Sequence, residues 1–184
     1  MITGELVDDC KVIETELKKI KLHTSNNRKD LNAGKAPISC VYGLVPWSKY
    51  SNGKLRIPSD EFEGWYHSKL RTDYPYLQTI FEDFANHHLP KDFEWSQVVI
   101  NKNFKSLKHI DAKNVGMSYI VGLGDYSGGE LAVIRDNKET LVNIKYKPYG
   151  FNGSIYSHYT MEFQGDRYSI VFYKNNKHKK RKDA

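Results

Sequence analysis

Apolar residues fall at helical spacing near the start of the chain. Leu6, Val7, Cys10, Ile13, Leu17 and Ile20 share one face, which predicts an amphipathic helix over residues 5–21. The stretch from His23 to Pro37 is polar, with Asn26-Asn27, Gly34 and Pro37, and reads as loop. Cys40 to Val45 is a short β-like run closed by Pro46, and Asn52-Gly53 marks a turn. Ser59-Asp60-Glu61-Phe62 has the form of a capped helix start, with Trp65, Tyr66 and Leu70 as its apolar face. Pro75 suits the first turn of the next helix; Leu77, Ile80, Phe81 and Phe84 form its stripe, and Pro90 ends it.

From Phe93 onward the period changes to two and β-branched residues become frequent. Candidate strands are 95–101, 105–111, 116–123, 129–135, 140–146, 154–158 and 167–173. Turn chemistry separates them at Ser127-Gly128-Gly129, Asp136-Asn137 and Asn152-Gly153. Many short strands at close spacing predict an α+β protein with a β-sandwich or barrel, and the earlier helices packed on one face. With no repeat and no linker, one domain is expected: 1–92 mainly helical support, 93–173 the β core, and 174–184 a basic tail.

At 184 residues such a chain is long enough to bury a substantial core. Its 39% hydrophobic and 27% charged content is that of an ordinary globular protein. The 13 tyrosines favour β structure, because aromatic rings pack well on a pleated surface. No apolar run approaches the roughly 20 residues needed to cross a bilayer, and no signal-peptide pattern opens the chain. Cys10 and Cys40 lie far apart without metal-site spacing, so neither a disulfide framework nor a zinc site is expected, and an intracellular setting is. Net charge is +6, with Lys174, Lys177, Lys179, Lys180, Arg181 and Lys182 near the end. Such a run suits a nucleic-acid contact, a nuclear address or a solvated extension. Oligomeric state leaves no mark on the sequence, and a monomer is assumed.

The candidate chemistry begins at His109-Ile110-Asp111. Residues two apart in a strand point the same way, so this imidazole and this carboxylate are expected to face one pocket. His158 ends a later candidate strand. Two histidines and one carboxylate form a facial triad, which holds iron and leaves open positions for dioxygen and a co-substrate. Arg167-Tyr168-Ser169 follows, with Arg167 and Ser169 on one face; a guanidinium fork and a hydroxyl suit a carboxylate such as the distal end of 2-oxoglutarate.

In this order, His109-x-Asp111, then strands, then His158, then Arg167-x-Ser169, residues 95–173 resemble the 2-oxoglutarate and Fe(II)-dependent dioxygenases. The resemblance implies a double-stranded β-helix (jelly-roll, cupin-like) core. It implies an enzyme in which His109, Asp111 and His158 bind Fe(II) while Arg167 and Ser169 bind 2-oxoglutarate. The implied reaction consumes O2, decarboxylates 2-oxoglutarate to succinate and hydroxylates a C–H bond. Members that halogenate lack the carboxylate ligand, so Asp111 favours hydroxylation.

Asn101-Lys102-Asn103, Asn114, Gly116 and the run Leu123 to Leu131 with its Gly128-Gly129 pair are similar to the TET/JBP branch, which hydroxylates 5-methylpyrimidines in nucleic acid. The chain departs from animal members in lacking their cysteine-rich zinc-binding extension. On this likeness the partner is nucleic acid, DNA before RNA, rather than a membrane. Expected substrate contacts are Asn103, Asn114 and Tyr119, with Lys105 and Lys108 beside them. The polar segment Arg28 to Lys35 reads as a loop over the mouth of the site. The competing readings are a protein side-chain (prolyl or lysyl) hydroxylase, a small-molecule hydroxylase, and a non-catalytic cupin-like binding module. The protein hydroxylases commonly carry Lys where this chain has Arg167.

Overall fold

A computed structural model describes residues 1–46, 50–51 and 53–175. Asn52 of the expected Asn-Gly turn and the tail 176–184, with most of its basic residues, lie outside the described residues.

In chain order the first half comprises α1 (Leu6–Lys19), a 3-10 segment (Asn26–Asn32) and β1 (Ile38–Val45). Then come β2 (Tyr50–Ser51), β3 (Lys54–Leu55), β4 (Tyr66–His67), α2 (Lys69–Asp73) and α3 (Leu77–His88). The second half is all strand: β5 (Gln97–Lys102), β6 (Ser118–Leu123), β7 (Tyr126–Gly128), β8 (Leu131–Arg135) and β9 (Lys138–Val142). It ends with β10 (Tyr149–Phe151), β11 (Ser157–Thr160), β12 (Phe163–Gly165) and β13 (Tyr168–Tyr173).

Six strands form one antiparallel sheet in the order β10-β6-β13-β5-β1-β4. The period-two pattern divides its central strands between two faces. Tyr42, Val98, Ile100, Val121, Leu123, Ile170 and Phe172 point to one side, where Cys10, Ile13 and Leu17 of α1 and Leu77, Phe81 and Phe84 of α3 cover them. Phe81 is fully buried and meets Tyr42 and Phe172 edge-on, with ring centroids 5.2 and 6.0 Å away. Val41, Val99, Asn101, Ile120, Ser169, Val171 and Tyr173 point to the other side and line a cavity. A three-stranded sheet, β11-β8-β9, and the pair β12-β7 lie on that side, with Leu131 and Val133 packing against Ile120.

The helix expected from Ser59 does not form. The Ser59 hydroxyl accepts the N–H groups of Glu61 and Phe62, Gly64 turns the chain at φ +75°, and Ser59 N donates to Trp65 O. The cap chemistry there closes a tight loop instead, and Ser68 caps the short α2. The strand expected over 105–111 is likewise absent. Asn103 at φ +48° turns the chain out of β5, and residues 103–117 run irregularly to β6. The strand expected over 140–146 lies earlier, because Asp136 and Asn137, both at positive φ, make a two-residue hairpin turn between β8 and β9. The loop expected over 23–37 contains the 3-10 segment, while β10 and β12 are too short to show as apolar periods.

A buried carboxylate ties the first helix down. Asp9 accepts from Thr3 N at 2.6 Å and Gly4 N at 2.9 Å, and lies 2.6 Å from His88 Nε2 on α3. Burial alone would raise the Asp9 pKa, but these hydrogen bonds outweigh it and hold the carboxyl down at about 2. A depressed carboxyl contributes stability above its unfolded value of 3.8 and loses it as pH falls toward about 2. Chemical denaturation from pH 6 down to 3 should therefore show wild type losing stability below about pH 4. Asp9→Asn should be flatter over that window; parallel curves would contradict the assignment. Phe81→Ala should cost about 3–5 kcal/mol in urea unfolding, and a loss under about 1 kcal/mol would mean that α3 contributes little to the core.

Candidate metal centre

His109 and Asp111 sit on the irregular segment after β5, not on a strand. What aligns them is a pair of backbone hydrogen bonds: His109 N donates to His158 O at 3.1 Å and His158 N to His109 O at 3.0 Å. This single bridge pins the segment to β11 and sets the two imidazole rings 4.4 Å apart. Asp111 N then donates to Gly153 O at 2.8 Å, bringing the carboxylate to the same point. Gly153 leaves little room there: a Cβ would lie 3.2 Å from both Asp111 Oδ2 and His158 Cε1, tighter than most Cβ contacts.

The ligating atoms of His109, Asp111 and His158 all lie within 4.8 Å of one another. His158 Nε2 is 3.2 Å from Asp111 Oδ2, and His109 Nε2 is 3.6 Å from Asp111 Oδ1. Each Nδ1 is committed to a backbone carbonyl, His109 to Leu107 O at 2.6 Å and His158 to Tyr156 O at 2.9 Å. That leaves both Nε2 atoms facing the carboxylate, the arrangement in which a backbone acceptor fixes the ring and the opposite nitrogen binds metal. Burial depresses the His109 pKa, which favours the neutral, ligating imidazole. Burial works against the Asp111 charge, but the hydrogen bond from His158 and the positive field of His158, His109 and Arg28 hold its carboxyl below the usual range.

The triad opens on a cavity of about 710 Å³ between the two sheets. On its floor a polar line crosses three strands. Ser39 Oγ donates to Asn101 Oδ1 at 2.7 Å, and Asn101 Nδ2 donates to Ser169 Oγ at 3.1 Å. Ser169 thus accepts from Asn101 and keeps its own O–H to donate. Arg167, 2% exposed, has the same parity along the chain as Ser169 and is not itself among the residues lining the cavity. Its guanidinium rests against the rings of Tyr126 and Phe163, each 5.5 Å away, and Nη2 donates to Gly129 O at 3.0 Å. Its Nε has no partner, and no carboxylate among the described residues pairs with it. The Gly128-Gly129 pair has a physical reason here. A Cβ on Gly129 would lie 2.7 Å from Arg167 Nε, and one on Gly128 would strike Glu162 O.

Of the expected substrate contacts, Asn114 lines the cavity. Asn103 and Tyr119 do not. Asn103 Oδ1 accepts from Arg167 N at 2.8 Å, bracing the start of β13, and the Tyr119 ring packs on Phe93 on the helix-covered face. Lys105 pairs with Glu162, and Lys108 is exposed outside the cavity lining. Lys174 of the basic tail holds Glu94 at 2.6 Å. Arg28, Lys113, Asn101 and Tyr173 also line the cavity. Arg28 begins the segment expected over the mouth, and Asn101 belongs to the Asn101-Lys102-Asn103 run; nothing local distinguishes Lys113 and Tyr173.

No protein-family model matches the sequence, and neither does any curated protein. Solved structures do match. An oxidoreductase of the 2OG-Fe(II) oxygenase family from Burkholderia pseudomallei superposes with a TM-score of 0.57 at 13% identity, over 90% of this chain and 78% of that one. A Pseudomonas putida prolyl-4-hydroxylase gives 0.50 at 10% identity, over 95% and 88%. NgTET1 in complex with 5mC DNA gives 0.50 at 11% identity, over 82% of this chain but only 65% of that one. The fold is shared with 2OG-Fe(II) oxygenases. Among the described residues no helix is long and apolar enough to cross a membrane.

Gly153→Ala should spread Asp111 and His158 and weaken Mn(II) binding about tenfold or more by calorimetry, with the fold retained. Unchanged affinity would mean that the close approach at Gly153 does not set the donor geometry.

Proposed function

We propose that the protein is an Fe(II)- and 2-oxoglutarate-dependent dioxygenase of TET/JBP type that hydroxylates the 5-methyl group of a pyrimidine in nucleic acid. The observation that carries the reading is the convergence of two Nε2 atoms and one carboxylate. That donor set suits a divalent iron with open coordination positions. An independent observation supports the co-substrate. Arg167 is a buried cation with no acidic partner and an unused Nε, and a buried charge is costly until an opposite charge reaches it. One carboxylate of a dicarboxylic acid fits that need, with the Ser169 hydroxyl as a second donor.

On this reading His109, Asp111 and His158 hold Fe(II), and Arg167 and Ser169 hold 2-oxoglutarate. The iron and co-substrate supply the oxidising chemistry when bound. The remaining contributions are the protein's own. Leu107 O and Tyr156 O keep the two imidazoles in the tautomer whose Nε2 is free. Asn101 holds the Ser169 oxygen so that its proton points to a ligand. Val99, Ile120, Leu131, Phe151 and Val171 give the cavity apolar walls that exclude water beside the reacting carbon. A nucleic-acid substrate is supported by the cavity's basic and amide groups, Arg28, Lys113 and Asn114. A base inside a duplex has to be flipped out to reach such a cavity.

Incubation with Fe(II), ascorbate and 2-oxoglutarate should yield succinate, and mass spectrometry should find one added oxygen on 5-methylcytosine or thymine DNA, or on RNA, but not on peptides. Oxygen gained only by peptides would remove the nucleic-acid substrate, and no succinate under any condition would remove the oxygenase. Arg167→Ala should weaken 2-oxoglutarate binding about tenfold to a hundredfold while Mn(II) still binds; equal binding would discard the Arg167 role.

A further inference from the structure

Among the described residues the cavity wall carries one carboxylate, Asp111, and two cations, Arg28 and Lys113. Neither cation is in an ion pair among the described residues, whereas Lys69, Lys105 and Lys174 on the outer surface each hold a carboxylate. The charges of the proposed site otherwise cancel. A divalent ion and Arg167 contribute positive charge, and Asp111 and a dicarboxylate balance it in full. Arg28 and Lys113 are what remains, so the fully loaded cavity still presents positive charge to whatever enters last.

Arg28 is not on a floppy strand of chain. Its 3-10 segment is fastened at both ends: Ser25 N donates to Pro37 O at 2.8 Å, and Leu107 N, two residues before His109, donates to Leu31 O at 2.9 Å. The segment is a fixed wall of the mouth, and Arg28 is half-buried in it. Its field reaches the triad, lowering the pKa of both His109 and Asp111. Lys113 enters from a distant part of the sequence, on the turn closed by Asn114 N donating to Asp111 O at 2.9 Å. Asn27 and Asn114 line the same cavity, and a side-chain amide can donate to a phosphate oxygen or pair with a base edge.

We propose that Arg28 and Lys113 are a phosphate-binding pair at the mouth of the cavity, contacting the backbone phosphates that flank the reacting nucleotide. The inference rests on the nucleic-acid reading and adds to it the residues that grip the polymer. The pair acts on charge, not on sequence. Phosphate contacts of this kind position the strand while base contacts specify it, and removing one cation from a phosphate lowers the salt dependence of binding.

The test is fluorescence anisotropy with a labelled single-stranded oligonucleotide containing 5-methylcytosine, titrated with the full chain between about 50 and 200 mM salt. Arg28→Gln and Lys113→Gln should each weaken binding about fivefold to tenfold at low salt, and each should lower the slope of log K against log salt by roughly 0.7. Arg28→Lys should recover most of the slope, and the thermal unfolding midpoints should match wild type. An oligonucleotide with neutral methylphosphonate links flanking the 5-methylcytosine should bind wild type as weakly as it binds the Gln variants. Variants with wild-type affinity and slope would overturn the proposal, as would a methylphosphonate probe that binds as well as the diester. An acidic peptide that competes as strongly as the oligonucleotide would overturn it too. Mn(II) and 2-oxoglutarate binding by wild type, followed in parallel, separates the two layers. Failure of both to bind fails the oxygenase reading itself, whereas intact cofactor binding with unaltered Gln variants fails only the phosphate pair.

Discussion

The two backbone hydrogen bonds between His109 and His158 are the constraint on which the site depends. Neither residue is held in place by a long ladder. His109 lies on irregular chain, and its bridge to β11 is a single residue pair. A single pair suffices because the flanks are fixed independently: Asp111 N is tied to Gly153 O, Thr160 N to Ser106 O, and Leu107 N to Leu31 O. Each of these closes a main-chain contact between segments far apart in sequence. The donor cluster is thus assembled by main-chain hydrogen bonding, and the side chains inherit their directions from it. Phe151 completes the support, its ring meeting His158 edge-on at 4.9 Å.

The large sheet divides its labour by parity. One set of alternate residues on β1, β5, β6 and β13 is apolar and buried under α1 and α3. The other set faces the cavity, and there the sequence admits Asn101 and Ser169 among valines and isoleucines, with Ser39 beside them. Register lines those three polar groups side by side: Ser39 opposite Asn101, and Asn101 opposite Ser169. Side chains directly opposite on neighbouring strands lie about 5 Å apart, close enough for the hydrogen bonds seen. The helix-covered face provides the stability that lets the opposite face carry polar groups. Tyr119 illustrates how strict the division is, since its position on β6 puts it with the helices and away from the site.

Charge is distributed unevenly about the cavity, and burial decides what each charge does. Arg167, packed against Tyr126 and Phe163 and bonded to Gly129 O, has no carboxylate in ion-pair contact among the described residues. Its desolvation is the larger cost, which a bound anion would offset. Arg28 and Lys113 are nearer solvent, so their field is partly screened. The glycines around the site belong with these charges, because a Cβ on Gly129 would strike Arg167 and one on Gly153 would press on the Asp111 and His158 side chains.

Much of this was legible in the amino-acid order. Periodicity marked α1 and α3, the change to period two marked a β-rich second half, and His109-x-Asp111, His158 and Arg167-x-Ser169 marked the groups to watch. His109 and Asp111 do meet, but not for the reason their spacing suggests, since no strand joins them. Asn103 turns the chain off the sheet, and a partner far away in sequence restores the alignment. Local pattern likewise misread Ser59, whose hydroxyl caps a loop, because the competing Gly64 turn and the burial of Phe62 and Trp65 against Leu44 are tertiary facts. What the sequence determined by itself was which side chains alternate, which can cap or turn, and which can bind a cation or an anion, since these are properties of residues and their near neighbours. What only the tertiary structure decided was which of them share a cavity. Arg28, Asn101, Asn114 and Ser169 come together through register and loop closure between distant segments, and those contacts carry no local signature.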